Sequence, residues 1–272
     1  MPGATASNIR KADIAEDLGN LLLRNLCAIA PISKADDFGI DAIATLLEID
    51  KTNPLRELAN KTFAIQYKAK SVRKIEFLKA YEYKWLLNLD YPYFIGSVDI
   101  TNSIMEIYSL NWISSMPRIH ETCTGLTIYL DDIENSKKKG KVLELSLGDP
   151  ILTLSTTDIQ DLATLNKKRE ILKMWILGEY ENIKVRNVGL TKTLGWETNK
   201  MPYLSNVSKM MTDEEDIGIY GHSYDFIDAT LTELKRFNNS ELNESIENIN
   251  NTLKKKGIEL FLLNSFDQLP KS

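Results

Sequence analysis

The chain has 272 residues, of which 43% are hydrophobic and 26% charged, and 33 basic against 38 acidic residues give a formal net charge of −5. These values are typical of an ordinary globular protein and argue against a low-complexity or fibrous protein and against one coated with positive charge for nucleic acid. The sequence lacks an apolar run of 18 residues and a signal-peptide pattern at its start, so we expect a cytoplasmic protein with no membrane span.

The N-terminal part predicts a helix followed by two strands. Apolar residues between Ile14 and Leu26 recur at helical spacing. Residues 40–49 are apolar and rich in β-branched side chains, which predicts a strand, and residues 62–70 alternate as a second strand. These two strands are close in sequence and most simply pair as an antiparallel hairpin.

The next elements extend this pattern. Residues 74–89 carry an amphipathic stripe that predicts a helix, and residues 93–98 and 104–110 predict two further strands. The order of helix, strand, strand, helix, strand, strand predicts an α/β domain with a mixed central sheet and helices on its faces. We place this domain at residues 1–135.

The pattern changes in residues 136–272. A strand or extended piece is predicted at 142–152, a long helix at 156–180, and two more helices at 224–237 and 240–256. We therefore expect a mainly helical C-terminal region, whose role the sequence does not indicate.

Three polar residues of the predicted hairpin form a candidate metal site. Asp41 begins the first strand, and Gln66 and Lys68 lie two residues apart on the second, so that both point to the same side. A carboxylate and an amide oxygen are ligands that suit Mg²⁺. A nearby ammonium can orient an attacking water and offset negative charge on a phosphate. This combination is what metal-assisted phosphodiester cleavage requires.

The run Asp36-Asp37-Phe38-Gly39-Ile40-Asp41, followed 25 residues later by Gln66-Tyr67-Lys68, resembles the D-x-G-I-D … Q-x-K pattern of Mrr-like restriction endonucleases. These enzymes belong to the PD-(D/E)XK nuclease superfamily, and the resemblance covers roughly residues 12 to 112. It implies a restriction-endonuclease-like core in which Asp41 is the principal metal ligand, Gln66 replaces the second acidic ligand, and Lys68 is the catalytic lysine. It also implies a setting in bacterial restriction or anti-phage defence.

Gln66 departs from the acidic residue that is usual in the superfamily, and a neutral amide binds Mg²⁺ less strongly than a carboxylate. Glu16, on the first predicted helix, is our candidate for the compensating metal ligand. Asn20 lies one helical turn later on a similar face and is the alternative, which would leave the site one charge short.

The sequence therefore predicts an endonuclease that depends on Mg²⁺ or Mn²⁺ and hydrolyses phosphodiester bonds in DNA, with RNA left open as a substrate. We expect a homo-oligomer, since one site cuts one strand. The alternative is a catalytically inactive nuclease-fold subunit that binds nucleic acid or a partner protein, such as an ATPase or sensor, in a larger defence complex. A junction resolvase would use the same site chemistry.

Other catalytic patterns are missing from the sequence. It has no P-loop GxxxxGK[ST] and no GxGxxG, and its two cysteines, Cys27 and Cys123, are far apart and form no CxxC pair. The two histidines, His120 and His222, lie near no Cys or carboxylate at ligand spacing. We expect neither a nucleotide motor nor a zinc site.

Overall fold

The computed structural model of the chain describes residues 7–33, 39–53, 55–110, 125–130, 138–139, 142–185, 190–209, 227–235, 237, 239–255 and 260. Residues 36–38 of the resemblance, as well as Cys123, His120 and His222, lie outside these ranges. The chain forms two compact units, residues 1–186 with 190–209 and residues 187–189 with 210–272, so the first unit extends well past residue 135.

The first unit is a mixed α/β structure. Its elements in chain order are α1 (Ser7–Leu23), β1 (Cys27–Pro31), β2 (Ala42–Ile49), β3 (Glu57–Ala69), β4 (Lys74–Phe77), α2 (Ala80–Leu87), β5 (Tyr93–Asp99), β6 (Ile104–Ser109), β7 (Gly125–Tyr129), β8 (Lys138–Lys139), β9 (Val142–Ser146), β10 (Leu152–Ser155), a 3₁₀ turn (Asp158–Gln160), α3 (Leu162–Val185), β11 (Leu190–Gly195) and β12 (Tyr203–Lys209).

Six strands form the main sheet, in the order β1-β2-β3-β5-β6-β10. Neighbouring strands are antiparallel except β3 and β5, which run parallel and are connected through β4 and α2. A second sheet has the order β4-β7-β9-β8, and β11 pairs with β12 in a third. The mixed central sheet predicted from the sequence is confirmed.

Strict alternation along β3 separates two cores. Phe63, Ile65 and Tyr67 point into a core that α1 and α3 cover. Ala64 points to the opposite face, into a second core to which β4 and α2 contribute. The period of two residues in a strand accounts for this division and places Gln66 on the same face as Ala64.

Several predicted elements are confirmed, and one is wrong. The helix α1 and the strands β2, β3, β5 and β6 are present, and β2 and β3 pair antiparallel as expected. Residues 74–89 are not one helix, because Lys74–Phe77 pairs with Gly125–Tyr129 as a strand and α2 begins at Ala80. Ile75 and Phe77 are buried at a spacing of two, which is the period of a strand and not of a helical stripe.

The C-terminal region contains more strand than the sequence predicts. β9 pairs with β7 in the second sheet, and β10 extends the main sheet by pairing with β6. The long helix is present as α3, but it starts at Leu162 rather than 156. Asp161 precedes it and accepts hydrogen bonds from the Ala163 amide at 3.0 Å and the Thr164 hydroxyl at 2.5 Å, a helix-capping arrangement.

Polar groups attach helix α3 to the preceding turn, to the main sheet and to β11. Its Lys168 is 8% exposed and lies 2.7 Å from a carboxylate oxygen of Asp158. The Tyr180 hydroxyl donates to the carbonyl oxygen of Thr62 in β3 at 2.8 Å. Asn182, which is fully buried, bonds both the amide and the carbonyl of Lys192 and so attaches β11 to the helix.

The second unit contains two described helices, α4 (residues 227–235) and α5 (Ser240–Lys254). Leu231, Ile246 and Leu260 are buried together at its centre. Asn239 caps α5 by accepting a hydrogen bond from the Leu242 amide at 3.1 Å. Both helices were predicted from the sequence. No helix in the described part of the chain is long and apolar enough to cross a membrane.

Candidate active site

The antiparallel pairing of β2 and β3 brings Asp41 against the segment Gln66-Tyr67-Lys68. Ala42 lies opposite Ile65, so Asp41 is located beside Gln66 in the register. The Asp41 amide donates to the carbonyl oxygen of Ile65 at 3.0 Å, and Asp41 Oδ2 accepts a hydrogen bond from the Tyr67 amide at 2.5 Å. The carboxylate of Asp41 therefore contacts the residue between Gln66 and Lys68.

Bonds on both sides hold the backbone of Asp41 in place. Its carbonyl oxygen accepts from the Ile32 amide at 2.9 Å, just beyond the end of β1. Its amide, as described, is bonded to β3. Because both neighbours are strands of the main sheet, the side chain starts from a rigid backbone, which a metal or substrate site requires.

Gln66 and Lys68 share the face of β3 opposite to Tyr67, but they differ in burial. Gln66 is only 7% exposed, and its Oε1 lies 3.1 Å from the hydroxyl of Tyr93, the first residue of β5. Lys68 is half-buried. The buried amide of Gln66 has a fixed position. The ammonium of Lys68 is partly accessible and can contact a phosphate at the surface.

Gly39 forms the turn that leads into Asp41. Its φ is +98°, a conformation that favours glycine, and the ring of Trp85 lies 3.5 Å from the position that a Cβ would occupy. Its carbonyl oxygen accepts a hydrogen bond from the Tyr93 hydroxyl at 2.8 Å. Trp85 of α2 and Tyr93 also meet edge to face, with ring centroids 6.1 Å apart. This aromatic pair positions the turn before Asp41.

Glu16 lies on α1, which covers the opposite face of the sheet. This helix packs on Tyr67, whose pKa is raised mainly by burial and further by the negative charges of Asp41 and Glu16, against a lowering by Arg24. The Glu16 and Asp41 carboxylates thus act electrostatically on the same phenol. Glu16 is half-buried and lies near Tyr67 on the helix side of the sheet, which is the face opposite to Gln66 and Lys68.

Asn20 is more deeply placed than Glu16. It is 6% exposed, and among the described residues its Oδ1 has no hydrogen-bond partner. The Tyr67 hydroxyl, 5% exposed at the residue level, is likewise without a hydrogen-bond partner in the described structure. Within the described part of the chain, two buried polar atoms at the α1–β3 contact thus lack a hydrogen-bond partner, which is unusual for a protein interior.

The candidate residues carry oxygen donors of the types that bind a hard divalent cation. Asp41 and Glu16 supply carboxylates and Gln66 supplies an amide oxygen, the donor types that Mg²⁺ prefers. The bond from the Tyr67 amide uses one of the roughly four acceptor positions of the Asp41 carboxylate. Within the described ranges no three His, Cys, Asp or Glu side chains gather as a metal-binding group, and the proposed set has two carboxylates rather than three.

A charged cluster lies on the same face of the sheet, beyond Lys68. Lys70 Nζ is 3.1 Å from Glu106 and 3.9 Å from Asp99, and the Tyr108 hydroxyl is 3.3 Å from Glu106 Oε2. The structure gives Lys70 two acidic partners, so its charge is balanced within the protein.

Sequence reasoning missed Tyr93. It was assigned only to a strand, and no local pattern marks a tyrosine whose hydroxyl reaches a turn 54 residues earlier in the chain. Comparison of the chain with protein-family models, with curated proteins and with solved structures finds no match.

Proposed function

We propose that the chain is a nuclease that depends on Mg²⁺ or Mn²⁺ and hydrolyses phosphodiester bonds in DNA. The observation that supports this most directly is the hydrogen bond between the Asp41 carboxylate and the amide of Tyr67. It brings an acid against the segment that presents Gln66 and Lys68, as the resemblance to Mrr-like endonucleases implies.

The roles follow from the chemistry of each side chain. Asp41, Gln66 and Glu16 hold the cation through oxygen atoms. The chemistry that a bound Mg²⁺ supplies is Lewis acidity toward a phosphodiester. The Lys68 ammonium orients the attacking water and offsets the negative charge that grows on the phosphate. The burial of Gln66 and the backbone hydrogen bonds of Asp41 hold these two side chains in fixed positions.

The arrangement of elements is compatible with a restriction-endonuclease-like core, and we include that fold in the proposal. A helix, α1, precedes three strands that pair antiparallel, and a second helix, α2, leads to β5, which runs parallel to β3. Asp41, Gln66 and Lys68 lie where β2 begins and β3 ends. This supports the finer fold assignment beyond the mixed α/β class.

The biological setting is part of the same proposal. We place the protein in the cytoplasm, in restriction or anti-phage defence, acting on DNA, with RNA as the alternative substrate to be tested. A homo-oligomer would supply one site for each strand of a duplex. An ATPase or sensor protein is the kind of partner that would control such an activity.

A second candidate function is that of an inactive nuclease-fold subunit that binds nucleic acid or a partner protein. The burial of Asn20 favours this second function. If Asn20 takes the place of Glu16 at the helix position, the side chains of Asn20 and Gln66 are both neutral. Asp41 alone would supply the negative charge, and cation affinity would be low.

The test is cleavage of plasmid DNA and of RNA in Mg²⁺ or Mn²⁺. Asp41→Ala and Lys68→Ala are expected to reduce the rate by about 10²-fold or more, the scale on which single catalytic groups act. Lys70→Ala is the matched control, because this lysine is two residues away, just past the end of the same strand, and is ion-paired with Glu106. Metal-dependent cleavage that survives both Asp41→Ala and Lys68→Ala would contradict the proposed site. A folded wild-type chain that cleaves neither polymer would favour the binding subunit.

A further inference from the structure

The Tyr93 hydroxyl links the two segments of the proposed metal site. Tyr93 is 4% exposed, and its hydroxyl oxygen lies 2.8 Å from the carbonyl oxygen of Gly39 and 3.1 Å from Oε1 of Gln66. Gly39 leads into Asp41 two residues later, and Gln66 is the neutral member of the ligand set. One phenol therefore touches both segments at once.

The position of this phenol is fixed by its surroundings. Tyr93 pairs with Ala64 where β5 runs parallel to β3, and the Ala64 amide donates to the carbonyl oxygen of Pro92 at 2.8 Å. The ring packs edge to face on Trp85, which also lies against Gly39. The hydroxyl is thus held by the sheet and by an aromatic neighbour rather than by Gln66.

The count of hydrogens then constrains the Gln66 amide. A phenol has one hydrogen to donate, and its nearer acceptor is the backbone carbonyl of Gly39. When the Tyr93 hydroxyl donates its hydrogen to the Gly39 carbonyl, only its lone pairs face Gln66. The group of Gln66 that can bond to these lone pairs is the amide NH₂, which donates. A half-turn about the terminal torsion of Gln66 makes that match, because it exchanges the positions of the amide oxygen and nitrogen and leaves the carbonyl oxygen facing away from Tyr93.

We propose that Tyr93 is a positioning residue that selects this orientation of the Gln66 amide and so presents its single carbonyl oxygen to the divalent cation. The inference rests on the proposed function. It gives a physical reason why a glutamine can serve at this position: an amide has one ligating oxygen and must be oriented, whereas the two oxygens of a carboxylate are equivalent.

The experiment measures Mn²⁺ binding without DNA, by calorimetry or by electron paramagnetic resonance. Tyr93→Phe should weaken Mn²⁺ binding by about 10- to 100-fold, the usual effect of losing a group that orients a metal ligand. In the Gln66→Glu background the same substitution should have little effect, because a carboxylate needs no such selection. Tyr108→Phe is the matched control, since it removes a buried hydroxyl from the same face of the sheet and should leave Mn²⁺ binding unchanged.

The outcomes separate this inference from the proposed function. A wild-type chain whose Mn²⁺ binding does not depend on Asp41 contradicts the proposed site itself and with it the role of Tyr93. Asp41-dependent binding that tolerates Tyr93→Phe overturns the inference alone. So does binding that Tyr93→Phe weakens equally in the wild-type and Gln66→Glu backgrounds.

A measurement on the unmodified chain keeps the test valid if Tyr93→Phe does not fold. Nuclear Overhauser contacts of the Gln66 side-chain NH₂ report directly on the orientation of the amide. Contacts to the ring protons of Tyr93 next to its hydroxyl are expected. Contacts to the α protons of Gly39 in their place would overturn the proposal.

Discussion

The ring of Tyr67 lies against the backbone of Gly19 so closely that a methyl group on Gly19 would be 2.5 Å from Cδ1 of the tyrosine. Tyr67 stands between Gln66 and Lys68, and Gly19 stands between Glu16 and Asn20 on α1. The approach of helix and strand at this point thus determines how near the helix residues come to the candidate site.

Gly19→Ala should therefore destabilise the protein. Alanine in a helix interior gains about 0.5–1 kcal/mol over glycine, but overpacking a buried contact typically costs about 1–3 kcal/mol, so a net loss is expected. Urea unfolding measures it. Gly178→Ala in α3 is the control, because its Cβ would be 2.9 Å from the end of the flexible Leu194 side chain, which can move. Equal or higher stability for Gly19→Ala would contradict this close packing.

Tyr67→Phe should be neutral or stabilising. The Tyr67 hydroxyl is buried and has no hydrogen-bond partner among the described residues, and an unsatisfied buried polar group costs about 1–3 kcal/mol. Tyr180→Phe is the contrast, because it removes a hydroxyl bonded to Thr62 at 2.8 Å and should cost about 1 kcal/mol. The two unfolding free energies should change in opposite directions or differ clearly. A loss of stability in Tyr67→Phe would show that the hydroxyl has a partner after all.

The helix position can be assigned by two substitutions. If Glu16 is the metal ligand, Glu16→Gln should weaken Mn²⁺ binding by about tenfold or more, whereas Asp17→Asn, on an exposed neighbour, should not. If Asn20 occupies the position, Asn20→Asp should strengthen binding by adding a charge. Calorimetry with Mn²⁺ separates the two cases, and weakened binding in Asn20→Asp combined with no effect of Glu16→Gln would exclude both.

The pair of Asp158 and Lys168 should make stability depend on pH. Burial raises the pKa of Asp158, but the hydrogen bonds from Lys168 and Ser155 outweigh it, so the pKa stays below its ordinary value. A lowered pKa means that the contribution to stability is complete above the unfolded pKa of about 3.9 and is lost as the pH falls through the folded pKa.

Asp158→Asn should accordingly lower the free energy of unfolding at neutral pH, by up to about 3–5 kcal/mol for a pair this deeply placed, and flatten its dependence below about pH 4. Urea midpoints from neutral to acidic pH measure both effects. An Asp158→Asn curve parallel to that of the wild type would contradict the assignment.

The pairing of Asp41 with Gln66 and Lys68 could be predicted from the sequence because the two strands that carry them are close together in the chain. The alternation of residues 62–70 was enough to place Gln66 and Lys68 on one face, and the short connection between two strands was enough to pair them. The structure agrees on both points, with Ala42 opposite Ile65. The register of neighbouring strands follows from patterns within a few residues, which a sequence displays directly.

Long-range pairings were not accessible in this way. The strand Lys74–Phe77 depends on Gly125–Tyr129, which lies far along the chain, and β10 joins the main sheet only through β6. The run from Lys74 to Phe77 is too short to reveal a strand by its own pattern, so tertiary pairing decided its structure. The hydrogen bond from the Tyr93 hydroxyl to the Gly39 carbonyl is also a long-range contact, because the two residues are 54 positions apart in the chain.

Pairing between β2 and β3 shifts by one residue between Thr45 and Leu47, which divides the hairpin into two blocks. The block from Ala42 to Thr45 alone sets Asp41 against β3. The other block ends in a surface tip where Leu55 is 97% exposed. Additional chain inserted at this tip leaves the first block in register, so the tip is a place to attach an epitope tag or fluorescent reporter for following the protein in living cells.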